Sequence, residues 1–291
     1  MAKILTAGRA IKALEDIVIA PCTKAVKPTL GVIIAEETAK TAGDWSYVKS
    51  IKAKAAKYGA EVDIRECKDI SAAYQNVVAM RSDQKYSGVI IASSFQNGND
   101  QYLKDYIPTP LDLDCASSQS LGHMLCDKSQ TFYRVAPCTA AAIYKLLSYN
   151  EIDVAGKKVG VVGRSTRVGR PAAQLLSIAD ATVTLYHSKS DLSGLKGEDI
   201  VISAVGKPKL LTADMFREGQ IVIDVGVNMV DGKLCGDVDF DAVSEKIGED
   251  GMITPVPSGV GPLTTTVLFA KLFVNAVRLR GGLDPQEASL C

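Results

Sequence analysis

Residues 163–171 read Gly-Arg-Ser-Thr-Arg-Val-Gly-Arg-Pro and follow the apolar run Lys158–Val162. A strand that ends in a glycine-punctuated turn and opens a helix presents backbone N–H groups to a phosphate. Gly163 would permit the tight turn, and Gly169, after Val168, close packing of the following helix. Ser165 stands where the common G-x-G-x-x-G fingerprint has its second glycine, and its hydroxyl can hydrogen-bond a phosphate oxygen. The next apolar run, 181–187, ends in Ser188-Lys189-Ser190, with no carboxylate before Asp191. An acid usually meets a free ribose 2′-OH at that point, so Arg164, Ser188 and Lys189 around a 2′-phosphate favour NADP over NAD. The plainer alternative is that the two glycines merely shape a βα turn.

The elements that must position these residues alternate apolar runs of strand length with amphipathic stretches of helix length. That is the pattern of a parallel α/β sheet. Strands are expected at Thr29–Ala35, 60–66, 87–92, Lys158–Val162, 181–187, 199–205 and 220–227. Helices are expected at 44–58, closed by Gly59, at 70–81, at 139–149 capped by Thr139, and at 264–280. The stretch 107–120 reads as a loop. The expected architecture is two α/β lobes with a cleft between them, the second a Rossmann-type doubly wound parallel sheet. The first lobe takes residues 1–149 and is completed by 264–291; the second takes 150–263. Such a cleft, at the carboxyl ends of the strands, is where small ligands bind.

Composition narrows the function classes. The 291 residues contain 33 Lys plus Arg against 33 Asp plus Glu, so no charge excess recommends nucleic acid or an anionic membrane. The opening residues lack the apolar core of a signal peptide, and no stretch is expected to reach the length of a membrane span. The seven cysteines are scattered and contain no C-x-x-C, which fits free thiols in a reduced cytoplasmic compartment rather than a disulfide framework or zinc site. With only His123 and His187 present, no metal site is expected.

Taken together, these motifs resemble the methylenetetrahydrofolate dehydrogenase/cyclohydrolase family. The likeness runs through 163–171, Ala181-Thr-Val-Thr184, His187-Ser-Lys189, Ala204-Val-Gly-Lys-Pro208, Val222-Ile-Asp-Val-Gly-Val-Asn228, Gly236-Asp-Val238 and Thr254-Pro-Val-Pro-Ser-Gly-Val-Gly-Pro-Leu-Thr264. In the first half, Tyr47-Val48, Asp112-Leu-Asp114 and Pro137-Cys-Thr139 match. The resemblance implies a reduced folate as substrate, NADP as cofactor and a homodimer. It assigns the cofactor to Gly163, Arg164, Ser165, Val168, Gly169, His187 and Ser188, with Ala204, Val205, Gly206, Gly226, Val227 and Asn228 lining the nicotinamide side. It assigns the folate to Tyr47 and Asp114, with Pro257, Gly259, Gly261 and Pro262 in the loop joining both sites.

The folate side is also where the match breaks. The family carries a lysine four residues after the tyrosine, and Ile51 stands there; the constant spacing from Tyr47 to Gly59 fixes that register. The family's glutamine is replaced by Ala92, and the glycine after the acidic motif by Cys115. Hydride abstraction needs an acceptor and a rigid stack, whereas hydrolysis of the methenyl bridge needs water activation and proton relay. An isoleucine can do neither of the latter. The chain is therefore closest to the monofunctional members that lack this lysine, and cyclohydrolase is expected to be lost or much reduced. Lys54, on the same helical face as Tyr47 and Ile51, is either a displaced substitute or a surface lysine. A further alternative is an inactive folate- and NADP-binding relative. Phe95 and Trp45 could each stack on a pterin or simply pack, and Cys138 reads as buried rather than nucleophilic.

Overall fold

A computed structural model describes residues 1–36, 42–95, 100–126 and 136–281, with backbone alone at 42–45. In chain order the main elements begin with β1 (Lys3–Ile4), α1 (Gly8–Ala13), a π-helical stretch (Leu14–Ile19), α2 (Ala20–Thr23), β2 (Thr29–Ala35) and α3 (Ala42–Tyr58). They continue with β3 (Glu61–Cys67), α4 (Ile70–Ser82), β4 (Tyr86–Ile91), α5 (Gln101–Asp105), α6 (Ser118–Cys126), α7 (Cys138–Tyr149), β5 (Lys158–Val162), α8 (Gly169–Ile178) and β6 (Thr182–Tyr186). The last are β7 (Ile200–Ser203), β8 (Ile221–Asp224), β9 (Asn228–Val230), β10 (Lys233–Cys235), α9 (Phe240–Ile247), β11 (Met252–Ile253) and α10 (Val260–Leu279).

The chain divides into two compact units, one of residues 1–11 and 139–264, the other of 12–138 and 265–291. The expected lobes met at 149/150. In the first unit, β1 pairs in parallel with β11, which holds the amino terminus in the sheet that carries β5. That sheet has the order β1-β11-β8-β7-β5-β6, all parallel. Successive strands run from β5 outward to β6, then return to the other side of β5 at β7. The carboxyl end of β5 is thus the topological switch point, where open α/β sheets bind ligands. The interior strands β5, β7 and β8 are buried on nearly every residue, which is why they read as continuous apolar runs. The edge strand β6 instead exposes Thr182, Thr184 and Leu185.

In the second unit, three parallel strands run β3-β2-β4. All of β2 and β4 is buried. Asp69 caps α4 by accepting the Ala72 amide at 2.8 Å, and Gly59, with φ +73°, closes α3. The segment after α5 joins this sheet through a parallel bridge between Val89 and Asp112.

Three expectations are corrected. The loop expected over 107–120 gives way to α6 at Ser118, where the Asp105 carboxylate accepts the Ser118 amide at 2.7 Å. Thr139 is not a cap, because α7 begins at Cys138. Finally, α10 is long and apolar enough to cross a membrane by length and composition, contrary to the sequence reading. Of its most apolar window 72% is buried inside the protein, the pattern of a core helix.

Candidate functional site

At the end of β5, Gly163 adopts φ +113°, and a Cβ there would lie 2.3 Å from the Ala204 carbonyl oxygen. A Cβ on Gly169 would lie 2.0 Å from the Gly163 carbonyl oxygen. Both positions therefore exclude any side chain, and together they bring the first turn of α8 against the strand end. Ser165 Oγ accepts the Val168 amide at 3.2 Å, which leaves the hydroxyl proton free to donate outward. Among the described residues, the amides of 164–167 have no intrachain acceptor, and these residues are solvent-exposed. A row of unpaired N–H groups ahead of a helix amino terminus fits a diphosphate.

The adjoining end of β6 is a tight turn. The Ser190 amide donates to the His187 carbonyl at 2.8 Å, and His187 Nδ1 accepts the Lys189 amide at 3.2 Å. His187 thus shapes the turn, with Ser188 and Lys189 exposed beside it. Asp191, the nearest carboxylate, is occupied: its oxygens accept the Ser193 amide at 2.9 Å and hydroxyl at 2.7 Å, which hold its carboxyl below the usual range. Among the described residues, no carboxylate lies in the turn 187–190, and Arg164 forms no ion pair. The residues present fit a nicotinamide dinucleotide bearing a 2′-phosphate.

The ends of β7 and β8 converge on two buried acids. Asp237 accepts the amides of Val205, Gly206 and Lys207 at 2.7, 3.1 and 2.9 Å, and Asn228 Nδ2 at 2.9 Å. Asp224 accepts the amides of Gly226, Asp237 and Val238 at 2.9, 3.1 and 2.9 Å, respectively. Burial pushes the Asp224 carboxyl up to about 6, against those three donors. Ala204, Val205, Gly206, Gly226, Val227 and Asn228 are so brought to one end of the sheet. Sequence reasoning quoted Gly236-Asp-Val238 as a matching motif and assigned Asp237 no task. In the same unit, Thr254 Oγ1 accepts the Asp224 amide at 2.7 Å and anchors the start of the 255–262 loop. Pro257 and Gly261 are exposed in that loop and Pro262 is half-buried. A Cβ on Gly259 would lie 2.5 Å from the Pro255 carbonyl oxygen.

In the other unit, Tyr47, Ile51 and Lys54 share one face of α3. Tyr47 is half-buried, and Ile51 is wholly buried. Ser50 Oγ meets Thr265 Oγ1 on α10 at 3.0 Å, and Lys54 Nζ donates to Thr266 Oγ1 at 2.6 Å and to Tyr58 Oη at 3.2 Å. Glu15 stands 3.9 Å from the same ammonium and is shared with Lys57. The Lys54 side chain is 15% exposed, and burial lowers its pKa. In this arrangement the Lys54 ammonium links α3 to α10 and is not a plain surface lysine.

Ala92 continues the β4 ladder by donating its amide to the Ile33 carbonyl at 2.8 Å. Asp112 accepts the amides of Ala116 and Ser117 at 3.0 and 2.9 Å, which shapes the loop beyond Asp114. Asp114 is half-buried and accepts the Cys138 amide at 2.9 Å. Cys115, where the resemblance expects a glycine, adopts φ +51°, a left-handed conformation that a glycine would take without strain. Burial raises its thiol to about 12 and that of Cys138 well above the ordinary value, which disfavours the nucleophilic thiolate at both. The Lys271 ammonium on α10, which sequence reasoning passed over, donates to the Leu113 carbonyl at 3.1 Å and to that of Ala136. It clamps the two segments flanking Asp114. Phe95 is packed in the core with Ile33, Val89 and Leu103 and is no stacking platform. The Trp45 side chain lies outside the described residues.

Residues 137–280 match the family described as tetrahydrofolate dehydrogenase/cyclohydrolase, NAD(P)-binding domain. The bifunctional protein FolD of Staphylococcus aureus is 37% identical over 297 residues, covering 98% of this chain and 99% of the relative. The chain belongs to the tetrahydrofolate dehydrogenase/cyclohydrolase family. The FolD of Methanosphaerula palustris is 44% identical over 206 residues, 69% of this chain and 71% of that protein. The methylenetetrahydrofolate dehydrogenase-cyclohydrolase of Trypanosoma brucei, solved with NADP and an inhibitor, superposes with a TM-score of 0.84 at 27% identity, covering 95% of this chain and 98% of that one. Family membership, the α/β architecture and the Rossmann-like unit agree with the sequence reading.

Proposed function

We propose that the protein oxidises 5,10-methylenetetrahydrofolate to 5,10-methenyltetrahydrofolate with NADP, and that its cyclohydrolase step is lost or strongly reduced. The observation that carries the second half is the wholly buried hydrocarbon of Ile51 at the position where the family's lysine is expected. Two part-buried lysines of this unit, Lys54 and Lys271, both donate to other groups of the protein.

In this reading, Tyr47 and Asp114 orient the pterin, with Ile51 and Ala92 in the same unit. The amides and Ser165 hydroxyl after Gly163 hold the diphosphate, and Arg164 and Ser188 hold the 2′-phosphate. His187 keeps the β6 turn closed around Ser188. The segments 204–206 and 226–228 face the nicotinamide, which when bound supplies a hydride acceptor. No protein group need take a proton during that oxidation, so losing the lysine leaves it intact. Hydrolysis of the product needs a base for water, and neither Ile51 nor Ala92 can serve.

A second reading, a bifunctional enzyme, is favoured by the names of the matched relatives. Purified protein, NADP and methylenetetrahydrofolate separate the readings in one cuvette. Persistent methenyl absorbance supports the proposal, rapid enzyme-dependent decay supports bifunctionality, and absence of NADP reduction with cofactor binding intact would leave a binding protein. A reduced cytoplasmic setting is consistent with the six cysteines that remain thiols among the described residues. Homodimerisation is consistent with the apolar side chains of Val227, Met229 and Val230 exposed on and beside the β9–β10 hairpin.

A further inference from the structure

Asp237 is wholly buried and its carboxylate takes five donors. Beyond the four named above, Ser203 Oγ donates to it at 3.0 Å. Five donors compensate the cost of burying a charge. Three of them are consecutive amides, 205–207, converging on one acceptor, with Gly206 at φ +69°. Successive amides that converge in this way form a nest, an anion-binding concavity. Here the anion is part of the chain. The carboxylate also occupies the space beside Gly226, where a Cβ would lie 2.2 Å from Asp237 Oδ1. Asp224 in turn accepts the amide of Asp237, so the two acids interlock three strand ends.

We propose that Asp237 is a positioning residue for hydride transfer: its carboxylate is the built-in anion of the 205–207 amide nest and fixes that segment, Gly226 and Asn228 in the geometry that seats the nicotinamide. The inference rests on the cofactor reading given above. Asp237 does not touch the reacting atoms; it acts through the backbone it holds. Misplacing that backbone by about 1 Å is enough to cost on the order of 100-fold in rate. The NADP preference, set at the separate end of β6, does not depend on it.

The test uses Asp237→Ala and Asp237→Asn in the full chain. Asp237→Ala vacates the nest, and millimolar formate refills it. Formate is expected to raise the Tm of Asp237→Ala in the absence of cofactor, and to leave the Tm of wild type and Asp237→Asn unmoved. It is also expected to restore NADP reduction by Asp237→Ala at least several-fold, from a kcat about 10- to 100-fold below wild type. The KM for methylenetetrahydrofolate and the NADP-to-NAD ratio stay at wild-type values. If Asp237→Ala does not fold, Asp237→Asn carries the kinetic test, with the same fall in kcat and no change in the NADP-to-NAD ratio. A folded Asp237→Ala that formate neither stabilises nor rescues, or a folded Asp237→Asn with wild-type kcat, would overturn the proposal. Should wild type itself fail to reduce NADP, the functional reading falls, while the formate-dependent Tm still decides whether the nest exists.

Discussion

Lys54 Nζ and Thr266 Oγ1 stand 2.6 Å apart, so the amine one turn beyond Ile51 ties α3 to α10. Glu15, 3.9 Å away, keeps its charge partnered. Replacing Lys54 with Met removes this tie but retains an unbranched apolar stem. The expected cost is about 1–2 kcal/mol, the size of a charge-assisted hydrogen bond less the packing retained. Any residual cyclohydrolase and the rate of NADP reduction stay unchanged. Denaturant unfolding and the two assays check this, and a selective loss of cyclohydrolase would make Lys54 the displaced base.

In the proposed reading, Arg164 and Ser188 carry the cofactor preference. Arg164→Ala is expected to raise the KM for NADP by about 10- to 100-fold, the worth of one charge-assisted contact to phosphate, and to leave that for NAD within about twofold. Parallel titrations with the two dinucleotides measure the ratio; an equal loss for both would place the 2′-phosphate elsewhere.

Gly169 has no room for a methyl, since a Cβ there meets backbone rather than a yielding side chain. Gly169→Ala is expected to cost about 2–3 kcal/mol and to reduce NADP affinity at least tenfold by pushing α8 from the strand end. Folate binding through Tyr47 and Asp114 should persist, as equilibrium dialysis can show.

Asp224 gives stability a pH signature. Its carboxyl is raised from 3.8 to about 6 by burial, so the folded protein holds a proton that the unfolded chain has released. This contribution is full below about pH 4 and is lost as pH rises to about 6, a fall of roughly 3 kcal/mol over that window at about 1.4 kcal/mol per unit. Asp224→Asn should flatten the slope of unfolding free energy against pH by that amount. An unchanged slope would mean the three amide donors offset desolvation.

Much of this was legible in the chain. Strands β2 and β5 begin and end at the residues expected, because a parallel strand buried on both faces reads as an unbroken apolar run. That Tyr47, Ile51 and Lys54 share one helix closed by Gly59 was legible from their spacing. Strands of two or three residues, such as β1, β9 and β11, show no period and were missed. The task of Asp237 was hidden because its donors in 203–207 lie 30 to 34 residues earlier in the chain. Lys271 was passed over because a lysine in an apolar helix gives no sign that two backbone carbonyls await it.

The central claim is that the oxidation survives without the proton-handling amine. Following NADPH and the methenyl product simultaneously at neutral pH, with and without enzyme, tests it most directly. The account predicts NADP reduction with methenyltetrahydrofolate accumulating in step and decaying no faster than in the enzyme-free control. Enzyme-dependent decay of the methenyl product to formyltetrahydrofolate would contradict it.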